Sequence, residues 1–292
     1  MRIFLFLATN LAVMLLLSIV FRIFERQFIL ADNGINLDLG SLLIFCAIFG
    51  MGGSLVSLFL SKGMAKRGSG TVIIEQASNR EEQWLLSTVE ELAKEAGIGM
   101  PEVGVFPSQA ANAFATGWNR NEALVAVSDG LLKRFSPDEV KAVLGHEIGH
   151  VANGDMVTLS LIQGVVNTFV MFFARIIGHT IDRVVFKTER GLGIGYYIVT
   201  FIAEMVLGLL ASMIVMWFSR WREYRADQAG ASLTSKAAMI GALERLRAEQ
   251  GLPQDLPGEL TAFGISEQLK QGFGALLRSH PPLEDRITRL RG

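Results

Sequence analysis

Four long apolar runs constrain this chain more than any other feature of its sequence. The first two cover Ile3–Phe21 and Leu39–Leu60, and neither contains a charged residue. A helix over the 22 residues of the second run would be about 33 Å long, more than the roughly 30 Å hydrocarbon core of a bilayer. A secretory signal peptide is the alternative for the first run, but the run is too long and no small-residue cleavage site follows it. We therefore predict a two-helix membrane anchor over residues 1–60.

The two later runs each contain a charge. Met156–Gly178 includes Arg175, and Ile194–Phe218 includes Glu204. A charged side chain in a transmembrane segment has to face protein or water rather than lipid. The two runs therefore predict a hydrophobic hairpin over residues 156–218, which either spans the bilayer as a pair or is partly inserted. With the anchor, this gives two to four transmembrane helices.

Basic residues beside the runs predict the orientation, because short cytoplasmic loops are enriched in Lys and Arg. The loop between the first two runs carries only Arg22 and Arg26, whereas three basic residues follow the second run: Lys62, Lys66 and Arg67. The N-terminus and residues 61–155 are therefore expected in the cytoplasm. The loop between the later runs is too positive for an outer loop, so whether this pair spans stays open; its basic residues are Arg183, Lys187 and Arg190.

Two polar blocks, residues 61–155 and 219–292, lie outside the apolar runs. Because only the hairpin separates them, we expect them to form the two parts of one catalytic domain. The first block mixes helical patterns with short strand patterns, including a hairpin over Asn112–Gly117 and Ala123–Val127. The sequence thus predicts an α-helical membrane protein with a mixed α+β, mainly helical domain. A net charge of −1 provides no positive field for nucleic acid, so that partner class is disfavoured.

A strong helix start lies near the end of the first block. Ser136 is a good N-cap, Pro137 suits the first turn, and Glu139 completes a capping box. The helix is expected to run to about Asn153, where Gly154 ends it.

This helix carries the sequence His146-Glu147-Ile148-Gly149-His150, an H-E-x-x-H motif. Histidines four residues apart lie on one face of a helix, so both imidazoles can bind a single Zn²⁺. Glu147 stands beside the first ligand, where its carboxylate can take a proton from a zinc-activated water and pass it to the leaving amine. The pattern is a metalloprotease signature, so His146 and His150 are the predicted zinc ligands and Glu147 the predicted general base.

A third protein ligand has to come from elsewhere in the chain, since no histidine follows the motif closely. The single cysteine, Cys46, makes a cysteine-built site very unlikely. We favour Glu223, which we expect near the start of a helix beyond the last apolar run, with His280 as the rival ligand. Asp227 is four residues later on the same face, where it can accept the second N–H of a ligand histidine.

The H-E-x-x-H motif combined with Glu223-x-x-x-Asp227 resembles the membrane zinc peptidases that include the CAAX prenyl endopeptidase. The apolar runs and their order resemble this family as well, so the resemblance covers essentially the whole chain. It implies a zincin-like catalytic domain, one Zn²⁺ per chain and zinc-dependent endopeptidase activity. It also implies a bacterial inner-membrane protein that degrades damaged, misfolded or unfolded membrane proteins in quality control and the stress response.

The resemblance carries over to two further stretches. Asn112, Ala113 and Phe114 match the family's substrate-binding edge strand, which would offer backbone groups to an extended peptide. His280 precedes two prolines and matches a histidine that stabilises the oxyanion or holds substrate. An ordinary hairpin and a surface loop are the plain alternatives for these two stretches.

Spacing places the predicted site at the membrane surface. His150 is only six residues, or about 9 Å of helix, before Met156, where the third run begins. Cleavage is therefore expected at the cytoplasmic face rather than within the lipid. Two other functions remain open, a membrane scaffold or transporter with a structural zinc and a peptidase dedicated to prenylated peptides. An open coordination position beside Glu147 argues against the first, and the few membrane helices argue against the second.

Overall fold

A computed structural model describes residues 38–189, 191–249 and 280–292. The predicted helix over Ile3–Phe21 lies outside these residues. In chain order, the described part contains the following elements: α1 (Leu39–Ser69), β1 (Val72–Ile73), α2 (Arg80–Glu95), β2 (Glu102–Phe106), β3 (Ala113–Thr116), β4 (Leu124–Ser128), α3 (Asp129–Arg134), α4 (Pro137–Asn153), α5 (Asp155–Val184), α6 (Ile194–Leu233), α7 (Lys236–Glu249) and α8 (Leu283–Arg291).

Three of the described helices, α1, α5 and α6, are long and apolar enough to cross a membrane. Each contains one of the apolar runs recognised in the sequence. The other elements are a four-stranded sheet and shorter helices. The predicted fold class, a mainly helical membrane protein with a small mixed α+β part, is therefore confirmed.

The sheet has the strand order β1-β2-β4-β3. The central strands β2 and β4 are parallel, and each outer strand is antiparallel to its neighbour. The predicted hairpin is present, with Phe114 opposite Ala126. Since β3 is the last strand in this order, its outer side forms an edge of the described sheet.

The main core lies between the sheet and the helices that cover it. Helix α2 begins at the N-cap Asn79, whose side chain accepts a hydrogen bond from the Glu82 backbone, and it turns an apolar face inward. Its buried residues pack with those of β4, α4, α7 and α8, including Leu85, Val125, Leu144, Leu243 and Ile287. This core fixes α4 against the sheet.

Helix α4 has the predicted start and end. The Ser136 hydroxyl accepts a hydrogen bond from the Glu139 backbone, and the Glu139 carboxylate accepts one from the Ser136 backbone at 2.8 Å. At the other end Gly154 has φ +69°, a conformation that glycine adopts without strain, and its N–H is bonded to the His150 and Val151 carbonyls. The next residue, Asp155, begins α5, so only one residue separates the two helices.

One expectation about the last apolar run is wrong. Glu223 does not lie near the start of a separate helix, because α6 continues without a break from Ile194 to Leu233. Neither glycine nor proline occurs between Phe218 and Glu223, so nothing in the sequence ends the helix there.

The chain divides into two compact units. Among the described residues, one unit contains 38–46 and those of Phe169–Leu207, and the other contains Ala47–Thr168 and those of 208–292. In the first unit, Arg175 and Glu204 pair at 2.9 Å, as expected for charges that avoid lipid. The second unit holds the sheet and every residue of the predicted site. The division of the sequence at residues 60, 155 and 218 stays a prediction.

Candidate metal centre

Helix α4 points two imidazoles at one place. His146 and His150, one helical turn apart, are both buried, and their Nε2 atoms are 3.1 Å apart. A neutral imidazole that carries its proton on Nδ1 presents a lone pair at Nε2. Two such lone pairs directed at one point repel each other unless a proton or a cation lies between them.

Helix α6 brings a carboxylate to the same place. The Glu223 side chain is fully buried, with oxygens 3.5 Å from Nε2 of His146 and 3.3 Å from Nε2 of His150. Its Oε1 atom is buried and forms no hydrogen bond with the described residues. One ligand atom from each of the three residues lies within 4.8 Å of the others. Two imidazoles and one carboxylate, which has an oxygen without a hydrogen-bond partner, fit a divalent cation with an open position, as in catalytic zinc sites.

The far side of each imidazole is held by an aspartate. Nδ1 of His146 is 3.0 Å from Asp227, which is where the i, i+4 spacing from Glu223 places that carboxylate. Nδ1 of His150 is 2.8 Å from Asp155. These contacts favour the Nδ1–H tautomer and so direct both Nε2 lone pairs to the common point.

Sequence reasoning missed Asp155. The residue stands five positions after His150, so helical spacing alone does not place the two together. The left-handed Gly154 turns the chain back and brings the first residue of α5 against the imidazole. A glycine C-cap followed directly by an acidic residue was the available signal.

Sequence reasoning also missed Arg286, on α8. Its guanidinium binds both oxygens of Asp227, with Nε–Oδ2 at 2.8 Å and Nη2–Oδ1 at 2.5 Å. Nη1 is 3.7 Å from Glu223. Arg286 is 6% exposed and Asp227 1%. Since Arg286 lies 59 positions from Asp227 in the sequence, no local pattern indicates the contact.

The carboxylates around the histidines make the centre attract positive charge. Burial alone would lower the pKa of His150, but the hydrogen bond with Asp155 and the nearby carboxylates of Glu223 and Glu147 raise this pKa to about 9. Burial opposes protonation of His146 as well, yet hydrogen bonds with Asp227 and Glu223 raise its pKa above the ordinary value. The same carboxylates would stabilise a bound metal cation.

Small residues let α4 and α6 approach closely enough to form this centre. A Cβ atom added to Gly149 would lie 2.7 Å from Cβ of Ala229, and one added to Gly145 would lie 3.3 Å from Cα of Gly230. The two glycines alternate along α4 with the histidines. A larger side chain at either position would push α6, and with it Glu223, away from the imidazoles.

A cavity of about 680 Å³ opens onto the centre. It is lined by the predicted site residues Glu147, His150, Glu223, His280, Asn112, Ala113 and Phe114. Glu147 is half-buried there, and His280, 62% exposed, approaches Glu223 Oε2 with its Nδ1 at 2.7 Å. The structure therefore brings all the predicted site residues together. Within this group, His280 contacts Glu223, the predicted third ligand.

Strand β3 forms one wall of this cavity with its edge. The Ser128 N–H donates to the Asn112 carbonyl at 2.9 Å and the Asn112 N–H donates to the Ser128 hydroxyl at 2.9 Å, so the backbone groups of this pair face each other. Since such pairs alternate along an antiparallel ladder, Phe114 also faces β4, and the backbone groups of Ala113 and Ala115 point to the outer edge. These N–H and C=O groups can pair with an added strand.

Comparison with known proteins gives consistent results. Residues 79–292 match the family model described as Peptidase family M48. The chain is 68% identical over 291 residues to Protease HtpX of Pseudomonas putida (strain GB-1), covering 100% of this chain and 99% of that protein. It is 67% identical over 291 residues to Protease HtpX of Pseudomonas syringae pv. syringae (strain B728a), with the same coverage.

Among solved structures, the fold resembles the crystal structure of Ste24p from S. mikatae. The TM-score is 0.59 at 20% sequence identity, and the match covers 98% of this chain and 63% of that chain. At this identity the likeness concerns the fold alone.

Proposed function

The chain belongs to peptidase family M48 and is a membrane metalloprotease, and from this premise we propose that it is a zinc-dependent endopeptidase of the bacterial inner membrane. Its proposed substrates are misfolded, damaged or unfolded membrane proteins, which it cleaves at the cytoplasmic face. The observation that carries the proposal is the convergence of His146, His150 and Glu223 beside Glu147, in a cavity that the open edge of β3 lines.

We assign one Zn²⁺ per chain to His146, His150 and Glu223. Two nitrogens and one oxygen form a ligand set that catalytic zinc sites use, and Asp227 and Asp155 hold the imidazoles for it. When bound, zinc lowers the pKa of water and polarises a carbonyl group. Arg286 keeps Asp227 ionised and in place, so it acts on the site through another residue.

Glu147 is the proposed general base and acid. Its carboxylate lines the cavity one residue from His146. There it takes a proton from the water while the water oxygen attacks the carbonyl carbon of the peptide bond. The same carboxyl group then gives this proton to the leaving nitrogen, so that the C–N bond breaks with an amine as the product. His280, at the cavity and hydrogen-bonded to Glu223, is the proposed donor that steadies the oxyanion or the substrate.

Substrate backbone is proposed to bind as an extra strand along β3. The outward N–H and C=O groups of Ala113 and Ala115 would pair with it, and the side chain of Asn112 would add a hydrogen bond. Main-chain pairing of this kind selects extended chain rather than a particular side chain. It therefore suits an enzyme that removes unfolded or damaged protein.

The membrane location of the substrates is proposed from the three apolar helices and the distribution of positive charge. Three basic residues follow the second apolar run at the end of α1 and support the proposal that the catalytic part lies in the cytoplasm: Lys62, Lys66 and Arg67. Labelling in intact cells of a single cysteine introduced near residue 141 in a Cys46→Ala background tests this. Labelling by a reagent that cannot cross the inner membrane would refute the orientation.

The decisive test of the chemistry compares the parent protein with Glu147→Gln. Both are purified in detergent under chelation and then given Zn²⁺ and an unfolded test protein. We expect zinc-dependent cleavage by the parent and a loss of about 10²- to 10⁴-fold in the variant with zinc still bound, because glutamine cannot accept the proton. Equal cleavage by both would remove Glu147 as the base. No cleavage by either, despite bound zinc, would favour a structural metal.

A further inference from the structure

The cavity at the metal centre continues away from it between α1 and α5. Its walls there are formed by residues of the apolar runs, and several are polar. The polar residues of this part, called the α1–α5 groove, are Ser54, Ser57, Ser61, Ser160, Gln163 and Asn167. All of them belong to the same compact unit as the metal centre.

Two carboxamides mark the deep end of the α1–α5 groove. Gln163 and Asn167 lie eight and twelve residues beyond Asp155, or about 12 and 18 Å along α5, which is a large part of a hydrocarbon core of about 30 Å. Nε2 of Gln163 donates to Oδ1 of Asn167 at 2.8 Å. This bond leaves Oε1 of Gln163 as an acceptor and Nδ2 of Asn167 as a donor, and both side chains are only half-buried.

The groove is a rigid feature because α1 and α5 are tightly joined along it. The Ser54 hydroxyl donates to the Ser160 carbonyl, and the Ser160 hydroxyl donates to the Ser54 carbonyl at 2.9 Å. A Cβ atom added to Gly50 would lie 2.6 Å from the Thr168 backbone nitrogen, so the two backbones approach very closely there. The two helices are therefore in close contact along the groove.

We propose that the α1–α5 groove binds the backbone of a substrate's transmembrane segment where its cytoplasmic end unwinds to reach the metal centre. This inference rests on the proposed function. A peptide must be extended to pair with β3, whereas a segment in the bilayer is helical. Unwinding exposes N–H and C=O groups, which are strongly unfavourable in hydrocarbon unless each has a hydrogen-bond partner. The carboxamides of Gln163 and Asn167, with the exposed hydroxyl of Ser57, supply such partners at bilayer depth.

The chemistry of the groove favours a peptide over a lipid chain. A hydrocarbon tail gains nothing from carboxamides, and polar residues in an apolar helix are costly unless they face a polar occupant or water. A peptide backbone needs both a donor and an acceptor, and the pair provides one of each. The groove also opens directly onto the cavity that Glu147 and β3 line.

The first experiment measures substrate preference in lipid vesicles. The double variant Gln163→Leu/Asn167→Leu is compared with the parent on two substrates, a soluble unfolded protein and a single-span membrane protein with an unfolded cytoplasmic tail. We expect the ratio of membrane-protein cleavage to soluble-protein cleavage to fall at least tenfold. The matched control Thr158→Leu/Ser212→Leu replaces polar residues of α5 and α6 that do not line the cavity, and its ratio should stay that of the parent. An unchanged ratio in the groove variant would overturn the proposal.

The second experiment does not depend on activity. Cys46 is the only cysteine, so a Cys46→Ala, Glu147→Gln background can carry one new cysteine, either Asn167→Cys or Thr158→Cys. The membrane substrate carries a single cysteine just inside the cytoplasmic end of its span. We expect disulfide trapping with Asn167→Cys at least tenfold above trapping with Thr158→Cys. Equal trapping at the two positions would refute substrate binding in the groove, even if the parent protein is an active protease. Selective trapping at Asn167→Cys, without zinc-dependent cleavage by the parent, would support binding in the groove and reject the proposed function.

Discussion

Replacing Arg286 with leucine should show how a buried ion pair supports the metal centre. The guanidinium joins α8 to α6 through two hydrogen bonds with Asp227, at 2.8 and 2.5 Å, and both residues are buried. The substitution leaves the carboxylate of Asp227 in the interior with His146 as its remaining partner. Leucine fills much of the same space, so the main effect is the loss of charge compensation.

Breaking a buried pair by removing one partner costs about 3–5 kcal/mol of unfolding free energy. Because the imidazole of His146 still contacts Asp227 at 3.0 Å, we expect the lower end of this range, about 3 kcal/mol. The double variant Asp227→Leu/Arg286→Leu removes both charges and should regain most of this loss. It also removes the partner of His146, so its zinc affinity should fall about 10- to 100-fold.

The assay is denaturant unfolding of the full detergent-purified protein under chelation, followed by tryptophan fluorescence, with zinc affinity measured separately by competition. Arg291→Leu is the matched control on the same helix, because its guanidinium is 61% exposed and pairs with Glu244 at the surface. Such pairs contribute about 0–1 kcal/mol. The reasoning is refuted if Arg286→Leu costs less than about 1 kcal/mol, or if the double variant is less stable than the single one.

Two further predictions concern the contacts that assemble the centre. Asp155→Ala should lower zinc affinity about 10- to 100-fold, because His150 loses the carboxylate that orients it, and an unchanged affinity in the competition assay would remove Asp155 from the centre. Gly149→Ala should cost about 1–3 kcal/mol in denaturant unfolding, because the new Cβ would lie 2.7 Å from Ala229. Gly241→Ala is its control, because nothing lies within 4 Å of a Cβ atom added there and the higher helix propensity of alanine should raise the stability by up to about 1 kcal/mol. Equal effects of the two substitutions would contradict the close approach of α4 and α6.

The elements that could be predicted from the sequence are those governed by local rules. The capping box of Ser136 and Glu139, the glycine stop at Gly154 and the strand alternation around Phe114 each depend on a few neighbouring residues, and the structure has all of them. The four-residue spacing of His146 and His150 belongs to the same class. So does the spacing that puts Asp227 on the same face of α6 as Glu223.

The features that could not be predicted depend on distant parts of the chain or on the exact ends of helices. The contact of Arg286 with Asp227 requires α8 to fold back onto α6 across a long stretch of sequence. The contact of Asp155 with His150 requires the left-handed turn at Gly154 in its actual geometry. The change from apolar to charged residues after Phe218 predicts a helix boundary there, whereas α6 continues through it. Composition changes there, but backbone conformation does not.

The same continuity explains how the metal centre is tied to the membrane-facing helices. Asp155 holds His150 and is also the first residue of α5, while Glu223 stands on α6 five residues beyond the last apolar run. The centre can form only when both helices are correctly placed against α4, and Gly149 sets that distance for α6. Because ligand geometry and helix packing are fixed by the same contacts, the free energy of metal binding also stabilises the packing of these helices.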